Sequence, residues 1–171
     1  DAQMRTRVMD MAGTVLREHS DNVHAAALGS TRVATLTDAA LLQGADPRRS
    51  FVVFELIEQG RLVSRHLLYF APALALPLPN PGLHAELADS GHGIVLSVRA
   101  ERLAREVWVD FGSLDAQPSD NAFDLLPGER VELPITTTAD MASLRKALQV
   151  RSLYGATMPR HAATTQEMAQ P

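Results

Sequence analysis

The sequence predicts an all-β protein built from two consecutive antiparallel β-sandwiches. Apolar and polar residues alternate along most of the chain, the alternating segments are separated by Gly and Pro turns, and residues 71–83 hold four of the ten prolines. We therefore expect a first domain, a Pro-rich linker that also supplies the first strand of a second domain, that second domain, and a disordered tail without periodicity. Their expected bounds are 1–72, 73–82, 83–155 and 156–171.

Two hairpins are predicted in the first half of the chain. One turns at Gly13, and the other, which is the clearest in the sequence, turns at Gln59-Gly60. Their strands are RTRVMDM (5–11), TVLREH (14–19), FVVFELIEQG (51–60) and RLVSRHLLYFA (61–71). Two more strands are expected at VHAAAL (23–28) and TRVATL (31–36), with a short helical turn within residues 37–50.

The second half repeats the pattern of short strands and tight turns. SGHG at residues 90–93 predicts a turn, and ADMASLRKA at 139–147 predicts one helical turn between the last two strands. The predicted strands are LHAELAD (83–89), IVLSVRA (94–100), REVWVDF (105–111), RVELPIT (130–136) and LQVRSL (148–153). Strands at this spacing are typical of an antiparallel sandwich.

Composition and motif content exclude several classes of function. The net charge of −4 leaves no basic surface for nucleic acid or for an anionic membrane, and no apolar run reaches the roughly 20 residues of a membrane helix. The absence of cysteine excludes disulfides, thiolate zinc sites and Cys nucleophiles. The six histidines show no metal-binding spacing, and phosphate-binding loops are absent. We expect no metal and no cofactor, and leave the compartment open between bacterial cytoplasm and periplasm.

The stretch DNAFDLLPGE, residues 120–129, has the composition of an acidic active-site loop. Paired carboxylates perform general acid–base chemistry and glycoside hydrolysis. The stretch contains Asp120, Asp124 and Glu129. However, Pro127-Gly128 predicts a type II turn, and Asp120 and Asn121 favour Asx-type turns. We interpret the stretch as a turn whose acids bind backbone amides around a core Phe123.

Trp108 is the only tryptophan of the chain. An exposed aromatic side chain on a sandwich face stacks on sugar rings in carbohydrate-binding modules. A tryptophan on a central strand such as REVWVDF is more often a core or domain-contact residue. We adopt the core or domain-contact interpretation and keep sugar stacking as the alternative.

Residues 107–135, VWVDFGSLDAQPSDNAFDLLPGERVELPI, resemble the C-terminal immunoglobulin-like domain of family 2 glycoside hydrolases of the β-mannosidase type. The marker is a V-W-L-like strand followed by S-D-N-x-F-D-L-L-P-G-E. The family-marker and structural positions here are Trp108, Asp120, Asn121, Phe123, Asp124, Pro127, Gly128 and Glu129. RVMDMAGTVLRE (7–18) and FVVFELIEQGRLVSRHLLYFAP (51–72) are similar to the preceding sandwich domain of the same enzymes. The resemblance covers roughly residues 4–154.

The resemblance implies two immunoglobulin-like sandwiches, of which the first lacks its opening strands. In the family, a jelly-roll domain, another sandwich and a (β/α)8 barrel precede this region. An unpaired edge or an exposed apolar face would make residues 1–72 less stable than 77–155 and prone to pair with another chain. The catalytic glutamates of the family lie on barrel strands. The resemblance therefore gives no catalytic role to the glutamates Glu55, Glu58, Glu86 and Glu129 of this chain.

The leading functional hypothesis is a non-catalytic accessory region of a β-mannosidase. The parent enzyme would remove terminal non-reducing β-D-mannose with retention, using two carboxylates. This region would pack against the barrel and the other N-terminal domains and stabilise them. A loop such as 90–93 or 115–120 would reach a mannoside at the rim of the active-site cleft. The alternatives are a free-standing carbohydrate-binding or adhesin-like module that uses Trp108, and the tail of another family 2 glycosidase such as a glucosaminidase.

Overall fold

A computed structural model gives the structure of residues 1–24 and 28–157. These residues form three antiparallel sheets and three short helices, which confirms the all-β prediction. The strands are β1 (Ala2–Asp10), β2 (Val15–Val23), β3 (Ser50–Glu58), β4 (Arg61–Tyr69), β5 (Leu83–Asp89), β6 (Ile94–Ala100), β7 (Ala104–Asp110), β8 (Ala116–Pro118), β9 (Phe123–Leu125), β10 (Arg130–Thr137) and β11 (Gln149–Arg151). The helices are α1 (Asp38–Leu42), α2 (Met141–Ala147) and α3 (Leu153–Thr157).

The first domain contains one four-stranded sheet in the order β2-β1-β3-β4. Both predicted hairpins are confirmed. Strands β3 and β4 pair from Glu58 and Arg61, and the two residues between them have φ of 50° at Gln59 and 77° at Gly60. Two consecutive positive φ angles are characteristic of a type I′ turn, whose twist matches that of the paired strands.

The sheet of the first domain has two apolar faces, which the period-2 alternation of its strands creates. The face that we call the inner face packs toward the second domain, and it includes Met9, Phe51, Val53, Leu67 and Tyr69. The opposite face, the outer face, includes Val8, Val52, Phe54 and Leu68. Leu41 of α1 covers part of the outer face. Within the described residues, no second sheet covers it.

The second domain is a sandwich of two sheets with the strand orders β5-β6-β10-β8 and β11-β7-β9. Its core joins side chains of both sheets, including Leu96 and Val98 from β6 with Val107 and Val109 from β7. Leu144 of α2 is fully buried in the same core. Because one face of each sheet lines this shared core, the predicted sandwich is confirmed for the second domain.

Some predicted strands are wrong. Residues 31–36 form no strand, because they stay exposed without a neighbouring strand and lead into α1, whose N-cap Thr37 accepts the Ala40 amide at 3.2 Å. Residues 73–82 form a 3-10 turn but no strand, since prolines cannot donate to a sheet. Strands β8 and β9 and helix α3 were not predicted from the sequence. Half of VHAAAL, residues 25–27, and most of the tail, residues 158–171, lie outside the described residues.

We predict that amide hydrogen exchange is faster in residues 1–72 than in residues 77–155. The sheet of the first domain buries one face against the second domain, while its outer face is covered only in part. Lower burial allows local opening at lower free energy. Native-state exchange followed by mass spectrometry compares the most protected amides of β3 and β6. Equal or slower exchange in β3 would contradict the prediction.

Candidate functional site: the junction between the two domains

The acidic stretch 120–129 lies where the second domain meets the first. Asp124 accepts the backbone amide of Glu106 at 2.7 Å and the hydroxyl of Tyr69 at 3.1 Å. Glu129 accepts the backbone amide of Leu126 at 2.8 Å. Each carboxylate therefore binds a backbone amide within its own domain, and Asp124 also holds a side chain of strand β4 in the other domain.

The rest of the stretch shapes the second domain. Asn121 pairs with the backbone of Val109, accepting its amide at 2.8 Å and donating to its carbonyl at 2.9 Å. Asp120 accepts the amide of Asn121 at 2.7 Å. Gly128 has φ of 78°, and the amide of Glu129 donates to the carbonyl of Leu126 at 3.0 Å, as a type II turn at Pro127-Gly128 requires.

An apolar cluster joins the two domains through the linker, and we call this contact the junction. The inner face of the first sheet contributes Met9, Met11, Phe51 and Val53, the linker contributes Leu76 and Leu78, and the second domain contributes Leu103 and Leu126. All of these side chains are at least nine-tenths buried. The Pro127-Gly128 turn of the stretch 120–129 is part of the same contact. A Cβ atom at Gly13, in the β1–β2 turn, would overlap the ring of Pro127.

Tyr69 occupies the polar side of the junction. Its ring stacks on Phe51 with a centroid distance of 5.6 Å, and the guanidinium of Arg105 lies 4.0 Å from its centroid on the second domain's side. Burial first, and then the charge and hydrogen bond of Asp124, raise the pKa of Tyr69 well above its usual range. The hydroxyl therefore remains protonated and donates to Asp124.

A buried ion network extends the junction along the inner face. Glu55 is 2% exposed and lies 2.8 Å from Arg5, 3.0 Å from Arg7 and 3.2 Å from Arg65. Arg65 continues across the junction to Glu129 at 2.6 Å. Burial raises the pKa of Glu55, but the hydrogen bond from Arg5 and the charges of the three arginines outweigh it, so the net pKa lies below the ordinary value.

The sequence interpretation missed this network. Strand alternation places Arg5, Arg7, Glu55 and Arg65 at inner-face positions, because Arg5 pairs with Glu55 and Glu55 pairs with Arg65. Charged residues on the core face of two predicted hairpins were the signal that could have found it. The strand order, which brings β1, β3 and β4 side by side, was not readable from the hairpins alone.

The junction has the properties of a structural contact. A general acid for glycoside hydrolysis needs a carboxyl group with a raised pKa facing a cleft. Glu55 has a lowered pKa among three arginines, and Glu129 is bound to Arg65. In the described part of the chain, no group of three or more His, Asp or Glu side chains is arranged to hold a metal ion. No helix of those residues is long and apolar enough to cross a membrane.

Trp108 is not a core residue, so that part of the expectation is wrong. Its neighbours Val107 and Val109 are buried in the core of the second domain, while the Trp108 side chain is 53% exposed on the opposite face of β7. It lines a groove of about 770 Å³ that borders the junction, since Leu153 and Tyr154 line the groove and also pack against the junction cluster. Alternation along β7 explains the exposure, since neighbouring residues of a strand point to opposite faces.

Two domain families match the chain in consecutive segments. Residues 1–73 match the family described as a mannosidase Ig/CBM-like domain. Residues 78–156 match the mannosidase family described as an Ig-fold domain. The chain belongs to the mannosidase Ig-domain families. These matches confirm the resemblance to the immunoglobulin-like domains of family 2 β-mannosidases, and the two segments meet within the Pro-rich linker.

Solved structures share the fold of this mannosidase-type domain pair. The β-D-mannosidase of Dictyoglomus thermophilum is similar with a TM-score of 0.60 and 14% identity, over 88% of this chain and 18% of its own. The exo-chitosanase CsxA of Amycolatopsis orientalis is similar with a TM-score of 0.60 and 17% identity, over 89% of this chain and 22% of its own. The domain pair therefore spans about a fifth of the length of these enzymes. Among curated proteins, none matches the chain.

We predict that Glu55→Gln lowers the free energy of unfolding at neutral pH by roughly 2–4 kcal/mol, because it leaves three partly buried arginines without their shared carboxylate. The folded-state pKa of Glu55 lies below the ordinary 4.5, so its stabilisation is present above the unfolded pKa and is lost as the pH falls through the folded one. Urea unfolding between about pH 7 and about pH 3 measures both effects.

As the pH falls, the free energy of unfolding of Glu55→Gln should decrease less than that of the unmodified protein. Glu58→Gln is the matched control, since Glu58 is an exposed carboxylate at the end of the same strand. If both substitutions had the same effect at neutral pH, the ion network would contribute nothing specific to the fold.

We also predict that Gly13→Ala destabilises the protein more than Gly44→Ala. Both glycines have positive φ, at 96° and 91°, so both substitutions strain the backbone by about 1–2 kcal/mol. Only the Cβ at Gly13 meets Pro127, whereas Gly44 has open space around it. Overpacking should add roughly 1–3 kcal/mol at Gly13. Urea unfolding of both variants gives the difference, and equal losses would show that the turn does not press on the second domain.

Proposed function

We propose that this domain pair is a non-catalytic accessory region of a family 2 β-mannosidase. The parent enzyme would release terminal β-D-mannose from non-reducing ends with retention, by the two-carboxylate mechanism. The observation that carries the proposal is the order of the matched domains, a mannosidase Ig/CBM-like domain followed directly by a mannosidase Ig-fold domain. The similarity to a β-D-mannosidase structure, of which the pair covers 18%, supports it.

The role of the pair is to act as one rigid body that packs against the catalytic barrel and stabilises it. The junction supports rigidity, because it combines a buried apolar cluster with the Arg65–Glu129 and Tyr69–Asp124 contacts between the domains. The outer face of the first sheet is the surface that we assign to the contact with the rest of the parent chain. Its aromatic and aliphatic side chains, such as Phe54 and Leu68, are only half-buried.

The chemistry belongs to the barrel in this proposal. The carboxylates at the junction are occupied by arginines, backbone amides and Tyr69, so none is presented to a substrate. The pair therefore contributes stability, and loops of the second domain, such as residues 90–93 and 115–120, contribute to the rim of the active-site cleft. The expected activity of the 171-residue chain alone toward mannosides is zero.

The coding sequence upstream of Asp1 gives the first test. A (β/α)8 barrel with two catalytic glutamates encoded in the same reading frame would support the proposal, and an independent start codon directly before Asp1 would overturn it. Expression of the whole reading frame then allows hydrolysis of 4-nitrophenyl β-D-mannoside and 4-nitrophenyl β-D-glucosaminide to be compared. We expect turnover of the mannoside. Preferential turnover of the glucosaminide would favour the alternative parent, a glucosaminidase.

A deletion tests the stabilising role. We predict that removing residues 1–171 from the whole protein lowers its thermal midpoint or makes it insoluble, because the surfaces that cover the barrel are lost. Differential scanning calorimetry of both proteins measures the change. A truncated enzyme with an unchanged midpoint and full activity would contradict the stabilising role.

A further inference from the structure

We infer that the groove around Trp108 is a carbohydrate-binding site of the second domain, with the indole as the platform for a pyranose ring. The identity of the sugar, a β-linked mannosyl unit, rests on the proposed function. The site itself rests on the geometry of the groove. It lies on the face of the β11-β7-β9 sheet that points away from the core of the second domain.

The position of Trp108 makes its ring available to a ligand. It lies on β7 between two buried valines, and its partner across the sheet on β11 is Arg151. On the β9 side the groove is lined by Ala122, a residue too small to cover the indole. A half-exposed indole beside a small neighbour offers its apolar face, which is the surface that the C–H face of a pyranose covers.

Polar side chains surround the indole, as recognition of hydroxyl groups requires. Asn80, Glu106 and Arg151 line the same groove, together with Tyr154. The first three supply the amide, carboxylate and guanidinium groups that can form hydrogen bonds with sugar hydroxyls, and the Asn80 oxygen also accepts the Gly82 amide at 3.1 Å. The volume of about 770 Å³ lies in the range of small-molecule sites and accommodates more than one sugar ring.

Glu106 is placed in this groove by a backbone irregularity. The pairing of β7 with β9 shifts register between Ala104 and Val107, and Glu106 has φ of 50° with its amide bound to Asp124 at 2.7 Å. Ala122, on the other side of the groove, also has a positive φ of 58°. Bulges and positive φ at non-glycine residues are strained, and they occur often where a side chain is redirected for function.

The charges of the groove favour a sugar over a protein surface as its occupant. The buried core of a protein–protein interface is depleted in charged residues. Here the carboxylate of Glu106 and the guanidinium of Arg151 flank the tryptophan. Glu106 is 54% exposed and lies 3.8 Å from Arg105, and Arg151 donates to the exposed Gln149, so both groups keep free hydrogen-bonding positions. A neutral ligand rich in hydroxyl groups satisfies both charges by hydrogen bonds, whereas an apolar protein surface would leave them without solvent.

Tryptophan fluorescence tests the site directly, because Trp108 is the only tryptophan in the chain. We predict that titration of the 171-residue protein with β-1,4-mannotetraose changes the emission saturably, with a Kd of about 1 mM or tighter. Isothermal titration calorimetry gives the same Kd and extends the test to variants without tryptophan. The absence of any saturable signal up to about 10 mM ligand would overturn the proposal.

Three variants sharpen the test. Trp108→Ala should abolish the calorimetric signal, and Glu106→Gln should weaken binding about tenfold through loss of a charged hydrogen-bond partner. Leu74→Ala is the control, since Leu74 is 84% exposed and does not line the groove, so the affinity of this variant should equal that of the unmodified protein. Circular dichroism checks that each variant is folded. Unchanged affinity in folded Trp108→Ala would place the sugar elsewhere and overturn the proposal.

Two comparisons separate this inference from the proposed function. Tighter binding of a chitosan tetramer than of mannotetraose would overturn the mannose assignment. Protection of Trp108 from oxidation by N-bromosuccinimide in the whole protein, but not in the 171-residue chain, would show that another domain covers the groove and would overturn the sugar site; mass spectrometry of the Trp108 peptide measures it in both proteins. Neither result changes the hydrolysis assay of the whole protein, so the proposed function is judged independently.

Discussion

The first domain buries the inner face of a single sheet against the second domain, and the remaining features of the structure depend on that contact. Phe51 and Val53 are fully buried in a cluster to which the second domain contributes Leu103 and Leu126 and the linker contributes Leu76 and Leu78. The proline-rich linker suits this task, because it places two leucines in the junction without needing sheet partners.

The polar part of the junction makes the contact specific. An apolar face alone allows two domains to slide, since burial of apolar area has no direction. Tyr69 and Arg65 of β4 each reach a carboxylate of the marker stretch, at Asp124 and Glu129. Those carboxylates are held by backbone amides of their own domain, so the bonds across the junction accept little variation in angle or register.

Two surfaces remain outside the junction, the outer face of the first sheet and the Trp108 groove. They differ in polarity and therefore suit different partners. The outer face of the first sheet is apolar and half-buried, as expected for a surface that another domain covers. The Trp108 groove combines an indole with charged and amide groups, which is the composition of a small-ligand site. An accessory region with both surfaces would hold the enzyme together and also keep a glycan near it.

The sequence by itself determined the fold class, the long hairpins and the family. Alternation placed both hairpins of the first domain, and the marker stretch identified a turn with its Pro127-Gly128 geometry, because turns and strand periodicity depend on local sterics. Residues 31–36 show the limit of this argument, since they alternate in the same way but form no strand, because no neighbouring strand pairs with them. Only the tertiary structure decided which charged side chains form ion pairs and whether Trp108 is buried or exposed. Glu55 contacts Arg5 and Arg65 because strand β3 lies between β1 and β4 in the sheet. Trp108 is exposed because its side chain lies on the face of β7 that points away from the core. Both outcomes depend on residues that are distant in the chain.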